Sequence, residues 1–450
     1  MRGAHWRVAA AVVVTAALSA CVNGPGGCDF DPCPPGKGSV AALDTQGAER
    51  WRTSISDRSD DPPTVSGNYV IVDGCRAVHV LDAATGRLLV STEELADGVG
   101  VAGGLVWGAD AAEDSEPARG VRGVPLEREG GTGGNGGRTI EHLGGSNGES
   151  GDFARTFTVS GDDLVGTHGD VLSVDPAAGG PGRWVQLPAR PTQRVLVLGD
   201  RAVTASPDGS VVGVDTAAMR LAWRVVPEAV SRSYALRLKA VGDTVVVTAL
   251  GQSAADEVSE VFAVSAGDGR VLWRRRGWEL AVVEGAVAVL MSPTTVAGVE
   301  LATGRELWAR RVGPGYVDSY PDAQLVTRAG TQAVAAGVVA LPARDVRGQQ
   351  HILVGADVRT GRELWRVDGE RQPVGLDDSF GVTARDETRA QDSRAWLAAL
   401  DPRTGKQVWT TQLRADRFSY ARPAAQLAAD PARSQTLLLD LPQLPHGGCF

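Results

Sequence analysis

Two glycine-rich motifs in the middle of the chain have the spacing of catalytic or nucleotide-binding loops. The first, Gly131–Gly136, fits the G-x-G-x-x-G pattern whose backbone amides hold a dinucleotide pyrophosphate. The second, Gly144–Gly148, fits the G-x-S-x-G pattern that presents a nucleophilic serine. Both chemistries need a strand directly before the motif and a helix directly after it, because that turn aims the amides or the serine. The sequence around these motifs is low-complexity and polar, so both are interpreted as linker.

The histidines and carboxylates form no recognisable metal-binding or acid–base pattern. None of the six histidines is spaced as a metal-binding pair, and the zinc motif H-E-x-x-H is absent. His79 lies inside an apolar run that reads as a strand, which favours a structural or surface role over metal binding. The sequence therefore predicts no catalytic residue, no metal site and no cofactor, and we expect the protein not to be an enzyme.

The first of the five cysteines lies directly after an N-terminal export signal. Arginines at positions 2 and 7 precede an apolar run, Val8–Leu18, that is too short to span a bilayer. The following sequence, Leu18–Cys21, resembles the bacterial lipobox, which implies cleavage before Cys21 and acylation of that cysteine. We therefore predict that residues 1–20 are a lipoprotein signal peptide. The mature protein is expected to be lipid-anchored at the cell membrane, on its extracytoplasmic face.

The other four cysteines are disulfide candidates, because their number is even and the chain is predicted to be exported. They are Cys28, Cys33, Cys75 and Cys449. Four cysteines allow three pairings, of which we favour Cys28 with Cys33 and Cys75 with Cys449. The second bridge would join the first repeat to the C-terminus. Residues 21–39 are rich in Gly and Pro and are predicted to form a tether.

A nine-residue pattern recurs through the rest of the chain. Asp401–Trp409 reads D-P-R-T-G-K-Q-V-W, and Asp357–Trp365 and Glu300–Trp308 repeat its T-G turn and its final tryptophan. Asp82–Val90 has valine in the tryptophan position, and looser copies occur elsewhere. Seven of the eleven tryptophans end a copy: Trp51, Trp184, Trp223, Trp273, Trp308, Trp365 and Trp409. Such self-similarity is the signature of a repeat architecture.

Each copy reads as a β-hairpin with a structural tryptophan. Apolar runs lie on both sides of the turn, whose Asp can bond backbone amides and whose Gly supplies a positive φ. A tryptophan at a fixed place in each hairpin buries a large apolar face. We therefore expect these tryptophans to dock one unit against the next and not to form active sites.

The pattern A-x-D-x-x-T-G-x-x-x-W resembles the tryptophan-docking repeat of quinoprotein-like β-propellers. The resemblance implies an all-β fold over residues 40–450, a β-propeller of four-stranded antiparallel blades. Pairing the apolar runs gives eight blades, with seven as the alternative, and a ring closed by the N-terminal strand. The segment 110–152 is predicted to be a flexible Gly-rich insertion.

Over the whole chain the resemblance is to exported lipoproteins of the barrel-assembly-machinery B type. It implies a non-enzymatic scaffold that binds an envelope protein partner, with the membrane reached through the lipid anchor. Nucleic acid is not expected as a partner, because the net charge is −9. One alternative is a dehydrogenase that binds pyrroloquinoline quinone (PQQ), although the adjacent cysteine pair typical of those enzymes is absent. The other is a sensor or binder of a small ligand or carbohydrate at the channel mouth.

Overall fold

The regular structure of the protein consists of β-strands. The computed structural model describes residues 9–14, 38–43, 48–56, 63–74, 77–110, 121–126, 138–140, 157–168, 170–191, 195–206, 209–226, 234–251, 259–292, 295–311, 334–344, 351–368, 371–376, 379–385, 395–413, 421–427 and 437–440. All regular elements in these ranges are strands. No helix in this part of the chain has the length and apolar character needed to cross a bilayer.

Eight four-stranded antiparallel sheets follow one another along the chain, and we number them sheets 1 to 8. Sheet 1 contains β4 (Thr64–Ser66), β5 (Tyr69–Asp73), β6 (Val78–Asp82) and β7 (Leu88–Thr92), and sheet 2 contains β8 (Leu95–Ala102), β9 (Leu105–Asp110), β10 (Val121–Pro125) and β11 (Arg138–Ile140). Sheet 3 contains β12 (Phe157–Ser160), β13 (Asp163–His168), β14 (Val171–Pro176) and β15 (Arg183–Gln186), and sheet 4 contains β16 (Leu196–Leu198), β17 (Arg201–Ala205), β18 (Val211–Asp215) and β19 (Arg220–Val225).

Sheet 5 contains β20 (Tyr234–Val241), β21 (Thr244–Gly251), β22 (Glu260–Ser265) and β23 (Val271–Arg276), and sheet 6 contains β24 (Glu279–Glu284), β25 (Val287–Ser292), β26 (Thr295–Glu300) and β27 (Glu306–Arg311). Sheet 7 contains β28 (Val334–Ala335), β29 (Val338–Arg344), β30 (His351–Asp357) and β31 (Glu363–Asp368), and sheet 8 contains β32 (Arg371–Leu376), β33 (Ser379–Arg385), β34 (Ala395–Leu400) and β35 (Gln407–Leu413). In every sheet the strands pair in chain order.

The two ends of the chain contribute two smaller sheets. The terminal sheet has three strands, β2 (Gly38–Leu43), β3 (Glu49–Ile55) and β37 (Leu437–Asp440), with β2 in the centre. The N-terminal hairpin of β2 and β3 thus pairs with β37 and not with sheet 8, because sheet 8 already has four strands, β32 to β35. A two-stranded sheet joins β1 (Ala9–Val14) to β36 (Ala421–Leu427). The eight-bladed ring and its closing strand remain predictions.

The core of the protein lies between successive sheets. The inner strands are rich in valine, which suits a pleated surface, and several are buried on both faces. In β18, for example, every residue from Val211 to Asp215 is buried. One apolar cluster joins sheet 4 to sheet 5 through Trp223 and Phe262, and similar clusters join each earlier and later neighbour in chain order. The four-stranded sheets packed face to face confirm the predicted all-β propeller class.

Two described stretches within the segment 110–152, which composition predicts to be a flexible insertion, have regular structure. Val121–Pro125 and Arg138–Ile140 form the third and fourth strands of sheet 2 within it. Val121 and Val124 are fully buried, and Gly123 lies against the ring of Trp107. The apolar residues in V-R-G-V-P thus complete the sheet despite the polar sequence around them.

Candidate functional site: the tryptophan seams

In four of the repeat turns, the aspartate at the first position binds the backbone amides of the turn. In sheet 7 the Asp357 Oδ1 accepts hydrogen bonds from the backbone amides of Arg359 and Thr360 at 3.1 and 2.8 Å and from the Thr360 hydroxyl at 2.8 Å. Gly361 adopts φ +63° and donates its amide to the Asp357 carbonyl at 2.8 Å. A positive φ is open to glycine at little cost, so the T-G pair and the acidic residue together define the turn.

These hydrogen bonds favour the charged carboxylates. The Thr404 hydroxyl, followed by the Thr404 and Arg403 amides, lowers the pKa of Asp401, although partial burial opposes the effect. The amide of Ala218 likewise lowers the pKa of Asp215, with help from Arg201. Asp401 and Asp215 are therefore bound in their charged form by their own turns.

The tryptophan that ends one repeat docks on the turn of the next sheet. Trp308 in β27 donates its indole N–H to the carbonyl of Val358, 2.9 Å away in sheet 7. Its ring covers Gly361, where a Cβ atom would overlap the ring, and its other side lies against Gly298 of its own sheet. The indole therefore fills a slot that only glycine, or a residue nearly as small, can line.

We call the contact between two successive sheets a seam. The same arrangement occurs at five seams, and in each of them the indole N–H binds the carbonyl of the second residue of a repeat turn. The hydrogen bonds are Trp51 to Ala83 at 3.1 Å, Trp223 to Ala266 at 2.8 Å, Trp273 to Leu301 at 2.7 Å, Trp308 to Val358 at 2.9 Å and Trp365 to Pro402 at 2.5 Å. All five side chains are at least nine-tenths buried. Trp409 is half-buried, and Val90, in the tryptophan position of sheet 1, is buried.

Trp184 does not dock, contrary to the prediction that it fills a seam. Its side chain is 67% exposed. The docking hairpins carry a β-bulge next to the tryptophan, as between Gly298 and Val299, whereas the pairing of β14 with β15 is regular. A bulge bends and twists the strand and re-aims its side chains. The third repeat has eight residues between its Asp and its Trp, whereas Asp357–Trp365 has seven, and this longer hairpin closes without the bulge.

A buried ion pair in sheet 5 is a feature that the repeat does not predict. Glu260 is completely buried, and the Arg274 guanidinium lies 3.3 Å from its carboxylate. The same guanidinium stands 5.0 Å over the Phe262 ring and donates to the Val226 carbonyl of sheet 4 at 3.2 Å. Charged residues rarely occupy fully buried positions without such partners. The pair therefore adds a polar link between sheets 4 and 5, which Trp223 also joins.

Most of the other residues that the sequence singled out lie outside the part of the chain that the structure describes. Cys21, Cys28, Cys33, Cys75 and Cys449 lie outside the described residues, as do Gly131–Gly136 and Gly144–Gly148. His79 is buried in β6, in agreement with a structural role. Within the described part of the chain, no three His, Cys, Asp or Glu side chains are grouped so that they could hold a metal ion.

The fold and the seams define a PQQ-like repeat β-propeller. The family model described as outer membrane protein assembly factor BamB matches residues 36–115 and 257–439, and the chain belongs to this family. No curated protein matches the sequence.

Solved structures that resemble the chain include a BamB, an alcohol dehydrogenase and an initiation factor. BamB from Moraxella catarrhalis is 16% identical over 64% of this chain and 82% of its own, with a TM-score of 0.37. A quinohemoprotein alcohol dehydrogenase from Comamonas testosteroni is 10% identical over 84% of this chain and 69% of its own, with a TM-score of 0.42. A eukaryotic initiation factor is 10% identical over 86% of this chain and 98% of its own, with a TM-score of 0.53. At these identities the similarities concern the fold alone.

Proposed function

We propose that this protein is a lipid-anchored, non-enzymatic scaffold that binds another protein at the extracytoplasmic face of the cell membrane. The observation that carries the proposal is how the repeats use their polar groups. The carboxylate of Asp357 is bound within its own turn, and the indole N–H of Trp308 is bound to the next sheet. The groups that recur most often in the sequence therefore hold the sheets in place.

Such seams suit a scaffold because they fix the sheets relative to one another. Each docked indole contributes buried apolar area and a hydrogen bond between successive sheets, from residues 28 to 50 positions apart in the chain. Loops and outer strands carried by a rigid frame keep their spacing, which lowers the entropic cost of binding a partner. Membership of the BamB family supports the same role, since its description names an assembly factor of outer membrane proteins.

The proposal is tested by photo-crosslinking of the full-length protein in its own cells. A photoreactive phenylalanine analogue is introduced, one position at a time, at the exposed residues Leu88, Leu221 and Val408. We expect a discrete adduct with one envelope protein from at least one position. The absence of any adduct from a folded protein would contradict the proposal. So would oxidation of an alcohol by the purified protein that depends on added PQQ and calcium.

A further inference from the structure

The seam between sheets 3 and 4 leaves a tryptophan in solvent. At the position where other repeats bury their indole, Trp184 is 67% exposed in the outer strand β15. Single exposed apolar residues are common, but tryptophan is usually largely buried. The receiving turn in sheet 4 shows why this one is not.

Met219 occupies the glycine position of that receiving turn. It adopts φ +48°, a backbone conformation that glycine occupies in the turns of sheets 5 to 8, and its side chain packs into the apolar cluster between sheets 3 and 4. In the next seam, a Cβ on the equivalent Gly269 would lie 2.5 Å from the Trp223 ring. The slot cannot hold both an indole and the side chain of the turn residue. Met219 of sheet 4 therefore fills the space that, at other seams, the tryptophan of the preceding sheet fills.

Arg183 replaces the polar part of the missing contact. Its guanidinium donates to the carbonyl of Ala217, in the same receiving turn, at 3.3 Å. The seam is therefore closed by Met219 and Arg183. Trp184 is not needed to hold the two sheets together.

Basic and apolar side chains surround the free indole. The outer strand β19 of sheet 4 lies next to β15 and exposes Arg220 and Leu221. We define Arg183, Trp184, Arg220 and Leu221 as the Trp184 patch. Asp215, the acidic residue close to Arg220, is bound by its own turn and by Arg201 at 3.1 Å. The patch is thus positive on a chain whose net charge is −9.

The patch also lies on open sheet edges. Strands β15 and β19 are each the last strand of their sheet, and no other described strand pairs with either of them. An edge strand offers unpaired backbone N–H and C=O groups to an added strand. Tryptophan and arginine are the residues that most often dominate the binding energy of protein interfaces.

We propose that the Trp184 patch binds an acidic polypeptide segment in an extended conformation, with Trp184 as its apolar anchor. This rests on the proposed scaffold function and names the chemistry of the partner. An acidic segment is repelled by a chain of net charge −9 and attracted by Arg183 and Arg220, so charge complementarity favours this site. Backbone pairing at the edge favours a polypeptide over a lipid surface, which has no strand to add.

The test measures binding of labelled synthetic peptides to the full-length protein by fluorescence anisotropy. The probe is a seven-residue peptide of alternating Glu and Val, compared with its Lys and Val counterpart and with vesicles of phosphatidylglycerol. We expect the Glu peptide to bind and the Lys peptide not to bind. Trp184→Ala should weaken binding about tenfold. The matched control is Val408→Ala, which removes an apolar side chain that is 55% exposed on another outer strand, β35, and should leave binding unchanged.

Three results would overturn the proposal. They are no binding of the Glu peptide to the wild-type protein, equal binding by Trp184→Ala, and binding of vesicles that depends on Trp184 without binding of the peptide. If crosslinked adducts persist while the peptide test fails, the patch is refuted and the scaffold stands. If adducts are also absent from every exposed position, the scaffold function is refuted as well.

Discussion

Trp308 and Val358 are fifty residues apart in the chain and are joined by a hydrogen bond of 2.9 Å from the indole N–H to the backbone carbonyl. The bond links sheet 6 to sheet 7 and places the ring over Gly361. Because the same contact recurs at four other seams, it is the unit from which the packing of the sheets is built. Its energetic weight can be measured one seam at a time.

Trp308→Ala should lower the free energy of unfolding by about 3–5 kcal/mol. The substitution removes a side chain that is only 8% exposed and leaves the Val358 carbonyl without its donor. The measurement is the midpoint and slope of urea unfolding. Trp184→Ala is the matched control, because it removes the same side chain from the same repeat position at 67% exposure. It should cost less than about 1 kcal/mol. Equal losses for the two variants would contradict the seam model.

Gly361→Ala tests the other side of the seam. Gly361 has φ +63°, and a methyl group there would overlap the Trp308 ring. Gly285 has φ +55° and no atom within 4 Å of a Cβ position, so Gly285→Ala reports the backbone strain alone. That strain is about 1 kcal/mol. Gly361→Ala should cost at least about 1 kcal/mol more, since overpacking adds a penalty of that size. Identical unfolding curves for the two variants would show that the Trp308 ring moves to accommodate the methyl group at no energetic cost.

Cys21→Ser tests the predicted anchor. Acylation needs the thiol, so the variant should neither incorporate an alkyne-labelled fatty acid nor remain with the membrane after cell fractionation. Cys28→Ser is the control and should keep both the label and the membrane fraction. Labelling of Cys21→Ser at the wild-type level would place the lipid on another residue and contradict the prediction.

The parts of the fold that could be read from the sequence are those set by local contacts. The turn around Asp357 depends on five consecutive residues, so its T-G signature predicts the hairpin and the tryptophan position. The exposure of Trp184 could not be read in this way, because it depends on a missing bulge and on Met219 in the next sheet. A non-glycine residue in that turn is a signal that a comparison of the repeats could have used.

Two further features depend on contacts between distant residues. The ion pair of Glu260 with Arg274 joins neighbouring strands whose charged residues each look solvent-exposed in sequence. The terminal sheet pairs Val40 with Asp440, from opposite ends of the chain. No local pattern indicates this pairing, because almost the whole chain separates the two strands.

Glu279→Gln should stabilise the protein at neutral pH. Burial raises the pKa of Glu279, and Arg237 offsets this only in part. An acid with a raised folded pKa destabilises the folded state above that pKa, and the cost disappears as the pH falls below the unfolded value of about 4.3. The variant should therefore gain up to about 1 kcal/mol at pH 7 and nothing at pH 4. Urea unfolding across this range provides the measurement. If the gain in unfolding free energy stayed constant with pH, it would come from packing and not from charge.

Asp401→Asn should show the opposite dependence on pH. The Thr404 hydroxyl and the turn amides lower the pKa of Asp401, so the carboxylate stabilises the folded state above its unfolded pKa of about 3.9. This contribution is lost as the pH falls through the lower, folded value. Asparagine keeps an oxygen that can accept the same three hydrogen bonds but carries no charge. The variant should lose less than about 1 kcal/mol at pH 7, because the turn is partly exposed, and should match the wild-type protein near pH 2. A loss that is equal at both pH values would mean that asparagine disturbs the geometry of the turn and that charge contributes nothing.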